Sequence, residues 1–137
     1  MFAPIQKLFA EYAKSIGAEQ LPADESGMVT LSVGDDSTVV LIGEDDNSLL
    51  VMTPVAELPK TADYGTMLWL LRRNFYDSPI APFRVSCDAA GSIVVWGRVP
   101  VDGMTADDLG GILEALAEEA DFIRGEIATD EAAGTAA

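Results

Sequence analysis

The chain contains segments with the hydrophobic periodicity of helices and segments with that of strands. The order of these segments constrains the fold more than any other feature. Apolar residues recur at helical spacing in three segments, and at strand spacing or as short apolar runs in five others. Their order is one helix, three strands, a second helix, two strands and a last helix. With 137 residues, the chain has the usual length of one domain. The pattern predicts a single α+β domain of order αβββαββα, in which an antiparallel sheet packs with three helices.

The three helical segments are marked by apolar stripes and by their terminal residues. The first is predicted over 4–16, where Pro4 suits the first turn. The second, over 62–75, contains the apolar run 67–71, which covers all sides of a helix and is typical of a helix that is buried all round. A second subunit could provide that burial more easily than so small a domain. The third is predicted from Thr105 to Ile127, since threonine is a good N-cap.

Five strands are predicted between these helices. Short connections rich in Gly, Asp and Asn separate neighbouring strands and read as hairpin turns, so the first three strands should form an antiparallel meander and the last two a hairpin. The segment 77–82, with two prolines, reads as a loop. The predicted strands are 28–33, 38–42, 49–55, 83–87 and 92–99.

Three of these strands are apolar on both faces. The runs 39–42, 49–52 and 93–96 are apolar at every position, whereas a meander needs only one face against its own helices. The surplus apolar face must therefore meet another molecule. The sequence leaves open whether Val39 and Leu41 point outward or whether the alternate pair, Val40 and Ile42, does.

Charge and residue content exclude several classes of function. The net charge of -15, from 23 acidic and 8 basic residues, repels phosphate backbones and anionic membranes, so nucleic acid is not an expected partner. No apolar run approaches the roughly 20 residues needed to span a bilayer. There is no histidine, no phosphate-binding loop and no metal-ligand spacing, and the single Cys87 is interpreted as a small core residue. The sequence therefore predicts no catalytic residue, no cofactor, no metal site and no enzyme activity.

The C-terminal half carries a resemblance to a known family. An apolar helix ends near Asn74, a two-strand hairpin over 83–96 has Gly91 at its centre, and a long amphipathic helix follows over 105–127. With its length, its acidity and its order of elements, the chain is similar to the class I chaperones of bacterial type III secretion, the Tir chaperone family. The resemblance covers residues 2 to about 127.

The resemblance implies both a fold and a function. Residues 1–127 would form a secretion-chaperone-like domain that dimerises with a second copy, and residues 128–137 are expected to be a disordered acidic tail. The homodimer would bind the unfolded N-terminal segment of a secreted effector in the bacterial cytoplasm and keep it competent for secretion. The segment would bind in extended form, with apolar side chains in surface grooves and sometimes an added strand at a sheet edge. The absence of a signal-peptide pattern and of cysteine pairs agrees with the cytoplasm.

Two sets of site residues follow from the surplus apolar positions. One set is expected on the first helix and the meander as the partner-binding surface, and the other on the second helix and the last strand as the dimer interface. A non-catalytic adaptor, or a regulatory subunit of similar fold whose partner carries the chemistry, remains the alternative. The predicted partner-binding residues are Ile5, Leu8, Phe9, Val39, Leu41, Leu49 and Val51. The predicted dimer-interface residues are Met67, Leu68, Trp69, Leu71, Val94 and Trp96.

Overall fold

The computed structural model describes residues 2–75 and 83–136 and contains the predicted elements in the predicted order. Each observed strand agrees with its predicted range to within two residues at either end. The loop predicted over 77–82 lies outside the described residues. The elements are α1 (Ala3–Ser15), β1 (Val29–Val33), β2 (Ser37–Gly43), β3 (Ser48–Glu57), α2 (Tyr64–Arg72), β4 (Arg84–Cys87), β5 (Ser92–Pro100) and α3 (Ala106–Ala136).

The five strands form one antiparallel sheet in the order β1-β2-β3-β5-β4. The meander and the hairpin are both present as predicted. The pairing of β3 with β5 joins them and leaves β1 and β4 as the two edges. The register of β3 against β5 shifts between Pro54 and Ala56. A proline has no N–H to donate to the ladder, so a bulge is where a strand interior tolerates it.

Helices α1 and α3 cover one face of the sheet, called here the inner face. The α3 helix packs across β1, β2, β3 and β5 and also contacts α1. Val39, Leu41, Leu49 and Val51 point from the central strands into this layer and are fully buried. Because successive strand residues alternate between faces, Val40 and its alternate neighbours point to the opposite side, the outer face.

Arg124 attaches α3 to the sheet beside the bulge. Its Nε donates to the carbonyl oxygen of Val55 at 2.7 Å, and its Nη2 donates to the hydroxyl of Ser37 at 3.1 Å. The Asp121 carboxylate, one turn earlier on α3, accepts from Nη1 at 2.5 Å and orients the guanidinium. One side chain thus fixes the helix against both β2 and β3.

Two predictions from the sequence differ from the structure. The helical backbone of α3 continues to Ala136, past the predicted end at Ile127 and through most of the segment 128–137 that was expected to be disordered. Alanine and glutamate are strong helix formers, which favours this continuation. The prediction that Cys87 is a core residue is wrong: it is the last residue of edge strand β4 and is exposed. Within the described residues, no helix is both long and apolar enough to cross a membrane.

Candidate functional site

The outer face of the sheet carries a continuous apolar surface. In the register, Val40 lies opposite Met52, Met52 lies opposite Trp96, and Ile42 lies opposite Leu50. These side chains are only half-buried, on a face that neither α1 nor α3 covers. We call this surface the outer patch. It consists of Val40, Ile42, Leu50, Met52, Val94 and Trp96.

An apolar outer patch is unusual for an antiparallel sheet with helices on one side only. The exposed face of such a sheet normally carries polar residues, which gives the strands a clean alternation. Here β2, β3 and β5 are adjacent in the sheet, so their outward apolar residues form one area rather than isolated positions. Contiguous apolar patches on a soluble domain mark sites of interaction.

The predicted partner-binding residues are not on this surface, and that prediction must be corrected. Every one of them is at most 6% exposed, because both α1 and α3 pack on the face from which the odd-numbered residues of β2 and β3 point. Their side chains build the core of the subunit. The predicted partner-binding residues that lie in this core are Ile5, Leu8, Phe9, Val39, Leu41, Leu49 and Val51. The alternate residues of the same strands form the outer patch.

Helix α2 carries a second exposed apolar surface. Asp63 caps its N-terminus by accepting a hydrogen bond from the backbone N–H of Thr66 at 2.9 Å, and this bond holds the pKa of Asp63 below its usual range. Only Leu70 is buried in the subunit, so the expected burial on all sides is not provided by one chain. We call the exposed surface the α2 face; it consists of Met67, Leu68 and Leu71, which are 41%, 40% and 65% exposed. The cleft beside it, of about 350 Å³, is lined by Gly65, Leu68, Trp69, Arg72 and Arg73.

The other predicted dimer-interface residues are engaged differently. Trp69 is half-buried and packs inside the subunit against Phe122 of α3, with ring centroids 5.9 Å apart. Val94 and Trp96 belong to the outer patch and lie opposite Pro54 and Met52. The exposed apolar residues therefore form two surfaces that differ from the two predicted sets. One surface is the α2 face, and the other is the outer face of the sheet.

A charged clamp holds α2 against α3. The guanidinium of Arg73 donates from both Nε and Nη2 to the carboxylate of Glu119, the second bond measuring 2.7 Å. Its Cζ atom also lies 5.3 Å from the ring centroid of Trp69 and 4.9 Å from that of Phe122. The side chains of Arg73 and Glu119 are only 16% and 9% exposed. This clamp fixes the helix while its apolar residues point outward.

Asn74 closes one edge of the sheet. Its side-chain Nδ2 donates to the carbonyl oxygen of Val85 at 2.8 Å, and its Oδ1 accepts from the N–H of Val85 at 2.6 Å. The amide thus satisfies both backbone groups that β4 presents at this residue, as a neighbouring strand would do. At the opposite edge, β1 has a single bridge from Ala23 to Val29 and, within the described residues, no strand beyond it.

Replacing Asn74 with alanine is expected to lower the free energy of unfolding by about 2 kcal/mol, since a buried backbone N–H and C=O each lose their partner. Urea denaturation measures the difference. Asn47→Ala is the matched control, because the Asn47 side chain is exposed in a turn and should change stability by less than about 0.5 kcal/mol. Equal stabilities of the two variants would contradict the role of Asn74.

The described residues show no arrangement typical of a reaction centre. Their cysteine, aspartate and glutamate side chains form no group of three or more that could hold a metal ion. The buried polar side-chain atoms in the described part of the chain all have hydrogen-bond partners. The geometry instead provides two apolar surfaces, the outer patch and the α2 face, which suit the binding of polypeptide.

Comparison with known proteins agrees with this assignment. Residues 7–124 match the sequence model of the Tir chaperone protein (CesT) family. No curated protein matches the chain in sequence.

Solved structures with a similar fold include complexes from type III secretion systems. A chain in the complex of the Yersinia pestis type III secretion chaperone SycH with a stable fragment of YscM2 matches with a TM-score of 0.72 and 19% identity, over 86% of this chain and 98% of that chain. A chain in the Pseudomonas aeruginosa ExoU–SpcU complex matches with a TM-score of 0.71 and 21% identity, over 88% and 95%. A chain in the ExoT–SpcS complex of the same organism matches with a TM-score of 0.64 and 19% identity, over 88% and 97%. At these identities the likeness shows that the fold is shared.

Proposed function

The chain belongs to the Tir chaperone protein (CesT) family, and we propose that it is a cytoplasmic bacterial chaperone of type III secretion. It binds the unfolded N-terminal segment of a secreted effector and keeps that segment competent for secretion. The outer patch is the observation that carries this proposal. It is a continuous apolar surface on a sheet that helices already cover on the other face.

The outer patch suits an extended polypeptide. Alternate side chains of an extended chain lie about 7 Å apart on one side, which matches the spacing of residues on a pleated sheet. Ordering a residue of the client costs about 1–2 kcal/mol of backbone entropy, whereas burying one large apolar side chain contributes about 1.5–3 kcal/mol. A single anchor would therefore bind only weakly. The six apolar residues of the patch provide room for several anchors.

Strand addition at β1 would add backbone hydrogen bonds to this apolar contact. An added strand needs an edge with accessible N–H and C=O groups and demands little of the client's sequence. The β4 edge is closed at Val85 by Asn74, which leaves β1 as the edge better suited to the client. Since β1 lies between this edge and β2, a strand added there would pair with β1, beside its outward residues Thr30 and Ser32.

We further propose that the α2 face joins two copies into a homodimer. Its apolar residues project from a helix that the Arg73 clamp holds in place, and the adjacent cleft could receive side chains of the second copy. The dimer would leave the outer patch of each subunit open, because α2 packs beside α3 rather than on the outer face.

Capture of a type III effector from the native bacterium by the tagged chain, followed by binding to the effector's N-terminal segment, tests the function. Val40→Asp is expected to weaken that binding at least about tenfold, the equivalent of 1.4 kcal/mol, because it places a charge in the apolar contact. Ala115→Asp, on the exposed side of α3, is the control and should bind like the unchanged chain.

Circular dichroism and urea denaturation would establish that both variants are folded. If Val40→Asp binds the effector segment as tightly as Ala115→Asp does, the outer patch is not the site. If the chain captures a stable complex of another kind and no effector, the adaptor interpretation is favoured instead.

A further inference from the structure

The strand residues of the outer face include more basic than acidic side chains, unlike the molecule as a whole. Acidic residues outnumber basic ones by 23 to 8 in the chain. Among the outward positions of the described strands, however, Arg84 and Arg98 are basic and only Glu57 is acidic. Glu57 lies beyond the bulge, opposite Ser92 and at the far end of β3 from the arginines. Around Trp96 the outer face therefore carries two guanidinium groups, together with the Glu44 carboxylate that contacts Arg98.

Both arginines are placed around Trp96. Arg84 lies directly opposite Trp96 on the neighbouring strand, and Arg98 follows Trp96 by two positions on the same face. The two arginines are thus diagonal neighbours, with backbones about 7–8 Å apart. The Trp96 indole is itself fixed, since its Nε1 donates to the Ser86 hydroxyl at 2.8 Å.

Arg98 is held in an orientation that leaves it able to bind. Its Cζ atom lies 5.3 Å from the ring centroid of Trp96, and its Nε donates to the Glu44 carboxylate at 2.7 Å. A guanidinium has five N–H donors, so a contact at Nε leaves others for a second carboxylate. The side chain is 57% exposed. Arg84 is tethered through Nη1 to the backbone oxygen of Asn74 at 3.4 Å and is also exposed.

This arrangement decides between possible occupants of the face. A second copy packed face to face would bring arginines near arginines, and the Glu44 carboxylate already accepts a hydrogen bond from Arg98 of its own subunit. A lysine-rich segment would be repelled in the same way. A segment with a carboxylate among apolar residues complements both the two guanidinium groups and the outer patch.

We propose that the outer patch selects extended segments in which one aspartate or glutamate alternates with apolar residues, its carboxylate lying between Arg84 and Arg98 at the edge of Trp96. This selection rests on the proposed function and specifies the chemistry of the client. The acidic residues elsewhere on the chaperone oppose the approach of such a segment. Their effect is screened beyond the Debye length of about 8 Å at physiological ionic strength, whereas direct contact with the arginines is screened much less.

Three synthetic nonapeptides of alternating leucine and threonine, identical except for a central glutamate, glutamine or lysine in the place of one leucine, test the selection. Calorimetry with the full chain at physiological salt is expected to show the glutamate peptide binding at least about tenfold more tightly than the lysine peptide, with glutamine between them. In a variant carrying both Arg84→Gln and Arg98→Gln, this preference should fall below about threefold. Arg72→Gln, on α2, is the matched control and should keep it.

The outcomes separate the selection from the function on which it rests. Equal binding of the three peptides, or tighter binding of the lysine peptide, overturns the selection while the outer patch remains a polypeptide site. Persistence of the preference in the double arginine variant also overturns it. If none of the peptides binds, the selection falls. If the Val40→Asp variant then also binds an effector segment as tightly as the unchanged chain does, the proposal that the outer patch is the binding site is overturned too.

Discussion

Replacing Arg73 with alanine is expected to lower the free energy of unfolding by about 3 kcal/mol. The substitution leaves the Glu119 carboxylate in a largely buried position without its bidentate partner, and breaking a buried pair from one side costs about 3–5 kcal/mol. It also removes the guanidinium that packs against the rings of Trp69 and Phe122. Because neither side chain is completely buried, the lower end of this range applies. Urea denaturation monitored by circular dichroism measures the change.

The neighbouring Arg72 provides the control for this substitution. Arg72 lies on the same helix and is exposed, so Arg72→Ala should change stability by less than about 0.5 kcal/mol. In the double variant with Glu119→Ala, the two losses should not add, since both remove the same interaction. A loss below about 1 kcal/mol for Arg73→Ala would show that the clamp does not hold α2 in place.

Replacing Leu71 with glutamate is expected to weaken the proposed homodimer at least about a hundredfold while leaving the fold of the subunit intact. Each substitution enters a two-fold symmetric interface twice, so a loss of about 1.5 kcal/mol per copy already exceeds a hundredfold. Within one subunit Leu71 is 65% exposed, and its replacement removes little burial. Sedimentation velocity should show the unchanged chain as a dimer at micromolar concentration and the variant as a monomer.

A substitution of the same kind away from α2 separates the interface from a general effect of charge. Ile16 follows α1 and is 54% exposed, so Ile16→Glu should leave the dimer unchanged. A monomeric unchanged chain at micromolar concentration would refute the α2 interface. Dimers of wild-type strength in Leu71→Glu would place the interface elsewhere.

The order of elements and the hairpins could be predicted because they depend on local signals. Helical periodicity, alternation in β1 and short turns act over a few residues, so each segment shows its own structure. The pairing of β3 with β5 has no such signal, since those strands are separated by α2 and the segment around it. It is this pairing that places Trp96 beside Met52 and makes the outer patch continuous.

The sequence could not show which residues of β2 point away from the helices, and the reason is a different one. Val39 to Ile42 are apolar at every position, so either alternate pair could have faced the helices. The packing of α1 and α3 on the same side of the sheet determines which pair faces the helices, and that packing is a property of the whole domain. The roles of Asn74 and Arg73 were likewise hidden, because their partners Val85 and Glu119 lie 11 and 46 residues away in the chain.

The reach of α3 across the sheet also determines when the chain can fold during its synthesis. The inner side of β2 is covered by a helix that is made last, and Arg124 bonds to Ser37 across a separation of 87 residues. The ribosome adds about 5–20 residues per second, so several seconds pass between the synthesis of the meander and the synthesis of α3. During that interval the outer face of β2 and β3 is apolar and the part of their inner face that α3 covers is still open. Under the proposed function, a chaperone of unfolded segments thus passes through a stage in which its own apolar strands are exposed.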